Sequence, residues 1–64
     1  MDYVTHYARL LDRARGRILF DCYTERHHVM PRCMGGGESP DNIVILTAEE
    51  HYTAHQLLTR IYPD

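Results

Sequence analysis

The chain has 64 residues, 44% hydrophobic, 25% charged and 9% aromatic. That composition excludes a disordered chain and a collagen-like one, and the longest apolar run, Ile43-Val44-Ile45-Leu46, is far too short to span a bilayer. The net charge of −2 speaks against a high-affinity, non-specific nucleic-acid binder, which is normally basic, but the charge is uneven: six arginines face four carboxylates in residues 1–33, and one faces five in residues 34–64.

Residues 2–15 read as a helix. Tyr3, Tyr7, Leu10, Leu11 and Ala14 recur at helical spacing and form one apolar stripe, and Gly16 sits where a helix would stop. Residues 25–30, from Glu25 to Met30, read as a strand that Pro31 ends by removing a ladder donor. Residues 33–41, with three glycines and Pro40, read as a loop. Ile43–Leu46 is the second strand. Thr47-Ala48-Glu49-Glu50 fits a capping box, and a helix over residues 48–61 follows, with His51, Ala54, His55, Leu58 and Ile61 on one face. The expected order is helix, strand, long loop, strand, helix. Tyr3, Tyr7, Leu10, Leu11, Phe20, Ile43, Ile45, Leu57, Leu58 and Ile61 are the expected core. No internal repeat and no low-complexity segment interrupts the chain.

A domain of this size buries only about 60% of the surface its unfolded chain exposes, and such small domains usually need a disulfide, a metal or a partner chain. The cysteines are two, Cys22 and Cys33. Met1-Asp2-Tyr3 opens without the basic and apolar blocks of a secretory leader, so a reduced, cytoplasmic setting is expected. Cys22 then reads as a core residue and Cys33 as a loop thiol. The unusual count is five histidines, four of them in two pairs, which makes a histidine-held metal the first candidate staple.

His51 and His55 stand one above the other on the helix, about 5–6 Å apart at Cβ, and can reach one ion. Alone, the pair is equally compatible with two half-buried helix residues. His27 and His28 are adjacent on a strand and point to opposite faces. Either the strand end is twisted, or one binds metal and the other acts nearby. A helix following a hairpin packs across both strands, which brings His51 and His55 toward the strand carrying His27 and His28. Three histidines with open positions suit a reactive metal site rather than a closed structural one, and a fourth histidine beside it suits a general base. Cys22 and Cys33 lie too far apart for a zinc-finger turn. His51-Tyr52-Thr53-Ala54-His55 lacks the glutamate that a metalloprotease places directly after its first histidine.

Glu25-Arg26-His27-His28-Val29-Met30-Pro31-Arg32, then Gly35-Gly36, Asp41-Asn42-Ile43-Val44-Ile45-Leu46-Thr47, Glu50-His51 and His55 resemble the HNH endonuclease motif, most closely that of phage-type HNH homing endonucleases. The resemblance covers about residues 23–58, and residues 1–22 resemble the lead-in helix of the phage proteins. It implies an α+β fold: a small ββα-metal (HNH, His-Me finger) domain preceded by an N-terminal helix. Residues 1–64 would be one nuclease domain, with 1–16 the lead-in helix and 18–62 the core. It implies metal-dependent hydrolysis of double-stranded DNA, leaving 5′-phosphate and 3′-hydroxyl ends.

The implied roles follow position by position. His28 is the general base. Asn42 ties the loop between the strands and so orients that base. His27, His51 and His55 hold one divalent ion, with magnesium, manganese, zinc and nickel all compatible. Glu25 supports a ligand imidazole, and Arg26 and Arg32 clamp phosphate. The setting implied is the cytoplasm of a phage-infected or bacterial cell, with no membrane partner. Family members carry a further recognition region, whereas this chain closes on Ile61-Tyr62-Pro63-Asp64; a minimal nuclease, a shortened copy, or a part acting with a partner chain or as a dimer would each look like this. The alternative is a catalytically inactive, metal-stapled ββα module that binds nucleic acid or protein. Such a module needs neither a histidine beyond its ligands nor an orienting asparagine.

Overall fold

The computed structural model describes residues 2–19 and 21–63. Helix α1 spans Tyr3–Arg15, strand β1 Glu25–His28, strand β2 Ile43–Leu46 and helix α2 Ala48–Ile61. Two single 3-10 turns, Arg32–Met34 and Pro40–Asn42, lie within the long connection between the strands. The strands pair antiparallel, with Glu25 opposite Leu46, Arg26 opposite Ile45, His27 opposite Val44 and His28 opposite Ile43. The fold is a small α+β arrangement in which both helices pack on each other and on the hairpin. No helix among the described residues is long and apolar enough to cross a membrane.

Each helix is started by a side chain. Asp2 Oδ1 accepts from the Thr5 backbone N–H at 3.0 Å, so Asp2 is the cap of α1 rather than its first residue. At α2 the capping box is complete: Thr47 Oγ1 accepts from Glu50 N–H at 3.2 Å, and Glu50 Oε1 accepts from Thr47 N–H at 2.9 Å. Both interactions satisfy backbone donors that a helix start leaves unpaired.

The core joins Tyr7, Leu10, Leu11 and Ala14 of α1 to Val44 and Leu46 of β2 and to Ala54 and Leu58 of α2. Val29, Leu57 and Ile61 pack at its margin. The strand alternation corrects one expectation. Val44 and Leu46 point inward, so Ile45 points outward and is exposed. Cys22 is likewise exposed rather than in the core, and Cys33 is an exposed loop thiol. Phe20 lies outside the described residues.

The first strand is shorter than the expected residues 25–30, and Asn42 is the reason. Val29 N–H donates to Asn42 O at 2.9 Å, and Met30 N–H donates to Asn42 Oδ1 at 2.8 Å. The second of these replaces a ladder bond by a side-chain bond, so regular pairing stops after His28. The expected loop also carries more order than its glycines suggest, because each 3-10 turn closes a backbone bond of its own: Gly35 N–H to Arg32 O and Asn42 N–H to Ser39 O.

Arg17, just beyond α1, grips the start of α2. Its Nη1 and Nη2 donate to the two carboxylate oxygens of Glu50, a forked pairing that adds direction as well as charge. The Arg17 guanidinium holds the Glu50 carboxyl down at about 2, from an ordinary 4.5. A depressed carboxyl contributes stability that is fully present above pH 4.5 and is lost as pH falls toward 2. Arg17→Ala is expected to lower the midpoint of urea denaturation at neutral pH, with the difference from the native chain shrinking as the pH is taken below 4.5.

Candidate metal and catalytic site

The strand alternation that buries Val44 also sets His27, its pairing partner, against the core. His27 is 1% exposed. His51 and His55, one turn apart on α2, stand over it. Ring centroids are 5.2 Å apart for His27 and His51, 5.6 Å for His27 and His55 and 4.6 Å for His51 and His55. Each offers one ring nitrogen, and these nitrogens all lie within 4.8 Å of one another, close enough to ligate a single ion.

Hydrogen bonds fix which nitrogens are free. Tyr7 O–H donates to Val29 O at 2.7 Å. A carbonyl only accepts, so the phenol oxygen must accept from His27 Nε2–H, which lies 2.6 Å away. His27 Nδ1 is then a bare lone pair, buried and without a hydrogen-bond partner among the described residues. On the other side of the cluster, His51 Nδ1 lies 2.7 Å from Glu25 Oε1. The ionised carboxylate accepts from Nδ1–H, so in the neutral ring the lone pair is on His51 Nε2, 3.0 Å from His55 Nε2. Two unprotonated imidazole nitrogens thus belong to one cluster, and the buried one has no partner. This donor set fits a divalent ion, for which neutral imidazole is the usual ligand.

The electrostatics keep it so. Burial, with the nearby His51, His55 and His28, lowers His27 to about 4, so it is neutral at pH 7. Burial raises Tyr7 to about 12 and keeps its O–H available. Glu25 is held below the usual carboxylate range by the Tyr23 hydroxyl and by His51, and Tyr23 O–H donates to its other oxygen at 2.6 Å. Tyr7→Phe removes one group that serves both buried His27 and the part-buried Val29 carbonyl. It is expected to cost about 1–3 kcal/mol, the penalty for unsatisfied buried polar atoms, read as a lower midpoint in urea for the metal-free chain.

His28 is not one of the three clustered histidines. The alternation that turns His27 inward turns His28 away, where its Nε2 pairs with Glu38 Oε2. Arg32 Nε donates to that same oxygen at 3.2 Å, and Arg26 Nη2 lies 3.6 Å from Glu38 Oε1. Arg26, His28 and Arg32 therefore meet on one carboxylate, and His28 with Arg32 holds it below its ordinary range. Arg26, His28 and Arg32 also line an open cleft of about 260 Å³ with His27, His51 and His55.

Asn42 spans the loop. Its Nδ2 donates to Gly37 O at 2.8 Å and to Met30 O at 3.2 Å, while its Oδ1 accepts from Met30 N–H. The segment that follows His28 and the glycine-rich loop are thereby joined through one side chain. Two residues of the site escaped the reading of the sequence. Tyr7 lies on an apolar helical stripe, where it looks like any core aromatic. Glu38 is the one carboxylate among the residues 33–40, a signal too slight to mark it.

Comparison with known proteins finds relatives in Enterobacteria phage T4. The chain is 48% identical over 63 residues to a protein named Probable mobile endonuclease E, a match covering 98% of this chain and 45% of that protein. It is 48% identical over 66 residues to Probable mobile endonuclease B, covering 97% of this chain and 25% of that protein. It is 42% identical over 66 residues to Probable mobile endonuclease D, covering 97% and 26%. The chain spans less than half the length of these curated relatives. No family model matches it, and no solved structure does.

Proposed function

We propose that this chain is an HNH-type, ββα-metal endonuclease domain that hydrolyses phosphodiester bonds in double-stranded DNA. Residues 1–64 form one nuclease domain in this reading, with 1–16 as lead-in helix and 18–62 as core. The observation that carries it is the buried Nδ1 of His27, without a hydrogen-bond partner among the described residues and within reach of His51 and His55, with a further histidine, His28, just outside that cluster. The relatives' names point the same way. The setting would be the cytoplasm of a phage-infected or bacterial cell.

His27, His51 and His55 would hold one divalent ion, which when bound supplies a Lewis acid for the charge developing on the phosphate. Glu25 holds His51 with Nδ1 protonated and Nε2 facing the cluster. Arg26 and Arg32 bind the phosphate as forked donors. His28 takes a proton from the attacking water. The water oxygen bonds to phosphorus, the bond to the 3′ oxygen breaks, and that oxygen leaves with a proton from solvent. Asn42 fixes the loop across from His28. The products carry 5′-phosphate and 3′-hydroxyl ends.

The test is incubation with supercoiled plasmid, adding magnesium, manganese, nickel or zinc in turn. Nicks that EDTA prevents and that DNA ligase reseals support the proposal. A folded chain that binds metal and never cuts would instead be a metal-stapled binding module.

A further inference from the structure

We propose that Glu38 is the positioning residue for His28, a role that rests on the nuclease reading above. A carboxylate can only accept, so the pairing of Glu38 Oε2 with His28 Nε2 requires the imidazole to donate there. The basic atom of neutral His28 is then Nδ1. The same carboxylate lies against Arg32 and Arg26, charges that help hold it beside the imidazole.

Glu38 is placed to do this because its loop is fixed. The residue before it, Gly37, gives its carbonyl to Asn42 Nδ2. The residue after it, Ser39, gives its carbonyl to Asn42 N–H at 2.8 Å. One position further back, Gly36 N–H donates to Pro31 O at 3.0 Å. Asn42 makes no hydrogen bond to the His28 ring; its hydrogen bonds go to the backbone on both sides of Glu38 and to Val29 and Met30. Orientation therefore passes from Asn42 to the loop, from the loop to Glu38, and from Glu38 to the imidazole. When His28 takes the proton of the attacking water at Nδ1, the Glu38 carboxylate faces the resulting imidazolium across Nε2–H, the arrangement that steadies a histidine base in other hydrolases.

The test compares Glu38→Ala and Glu38→Gln with the native chain. In the metal-free chain, proton NMR should show a downfield, slowly exchanging His28 Nε2–H. It should persist in Glu38→Gln, whose amide oxygen can still accept, and vanish in Glu38→Ala. In plasmid nicking with the metal that supports the native chain, Glu38→Ala should lose about tenfold to a hundredfold in kcat with no rise in KM, and Glu38→Gln should recover part of the loss. Unchanged or faster nicking by Glu38→Ala would overturn the proposal while leaving the nuclease reading intact, and would make Glu38 a competitor for the phosphate-binding arginines. A loss confined to KM, or a His28 N–H unaffected by Glu38→Ala, would also overturn it. A native chain that fails to cut with every metal tried removes the nuclease reading and this role together.

Discussion

Replacing His28 by alanine is expected to lower plasmid nicking by about 10²–10⁴-fold, the usual contribution of a general base, while leaving fold and metal affinity nearly unchanged. The separation of effects follows from where the ring sits. His28 is outside the cluster formed by His27, His51 and His55, and its side chain is 23% exposed and pairs with Glu38 rather than with the core. Its removal opens no buried cavity and takes away none of the three clustered nitrogens. His55→Ala should do the reverse, because it deletes a member of that cluster: metal affinity falls, and cleavage falls with it. Calorimetric titration of metal into both variants, beside nicking assays, distinguishes them. Equal metal loss in both would mean that His28 is a ligand rather than a base.

Gly36→Ala is expected to destabilise the domain by about 3 kcal/mol or more, a large effect of the kind that overpacking against fixed backbone produces. A Cβ at this position would lie 1.8 Å from Met30 O and 2.6 Å from Met30 C. Both atoms are backbone, and Met30 is bonded at its N–H and its carbonyl to Asn42, so the neighbour cannot yield. The same Cβ would lie 3.0 Å from Asn42 Nδ2, so the substitution strikes the side chain that ties the loop. Cleavage should fall even where enough folded chain remains to measure it. Gly37→Ala is the control. A Cβ there meets nothing within 4 Å, and its effect should stay within about 0.5 kcal/mol. Urea denaturation of the two variants gives the comparison, and equal stabilities would contradict the close packing of Gly36 on Met30.

The helices were the most legible part of the chain, because their signals are local. The box at Thr47 and Glu50 and the spacing of Ala54, Leu58 and Ile61 all lie within one segment. The strands were less so. Ile43-Val44-Ile45-Leu46 is apolar throughout, so nothing in it states which parity faces the core, and Ile45 was expected inside when it is Val44 and Leu46 that are buried. The end of β1 is set by Asn42, twelve residues away from Met30 in sequence, and no local pattern announces that contact. In the site, the i, i+4 spacing of His51 and His55 and the presence of His27 on a neighbouring strand were enough to expect their approach in space. Their partners were not legible. Tyr7 reaches His27 across 20 residues, and Glu38 reaches His28 across ten; both depend on the tertiary fold, and neither residue type is unusual where it stands.

The most direct measurement is a metal titration in which occupancy and nicking are read from the same samples. The chain is first stripped with EDTA, and supercoiled plasmid is then added at each metal level. The account predicts no nicking in the stripped chain, a rate that rises in step with bound metal, and saturation at one ion per chain. Nicking that survives complete removal of metal, or full occupancy of the histidine cluster with no nicking at all, would contradict it.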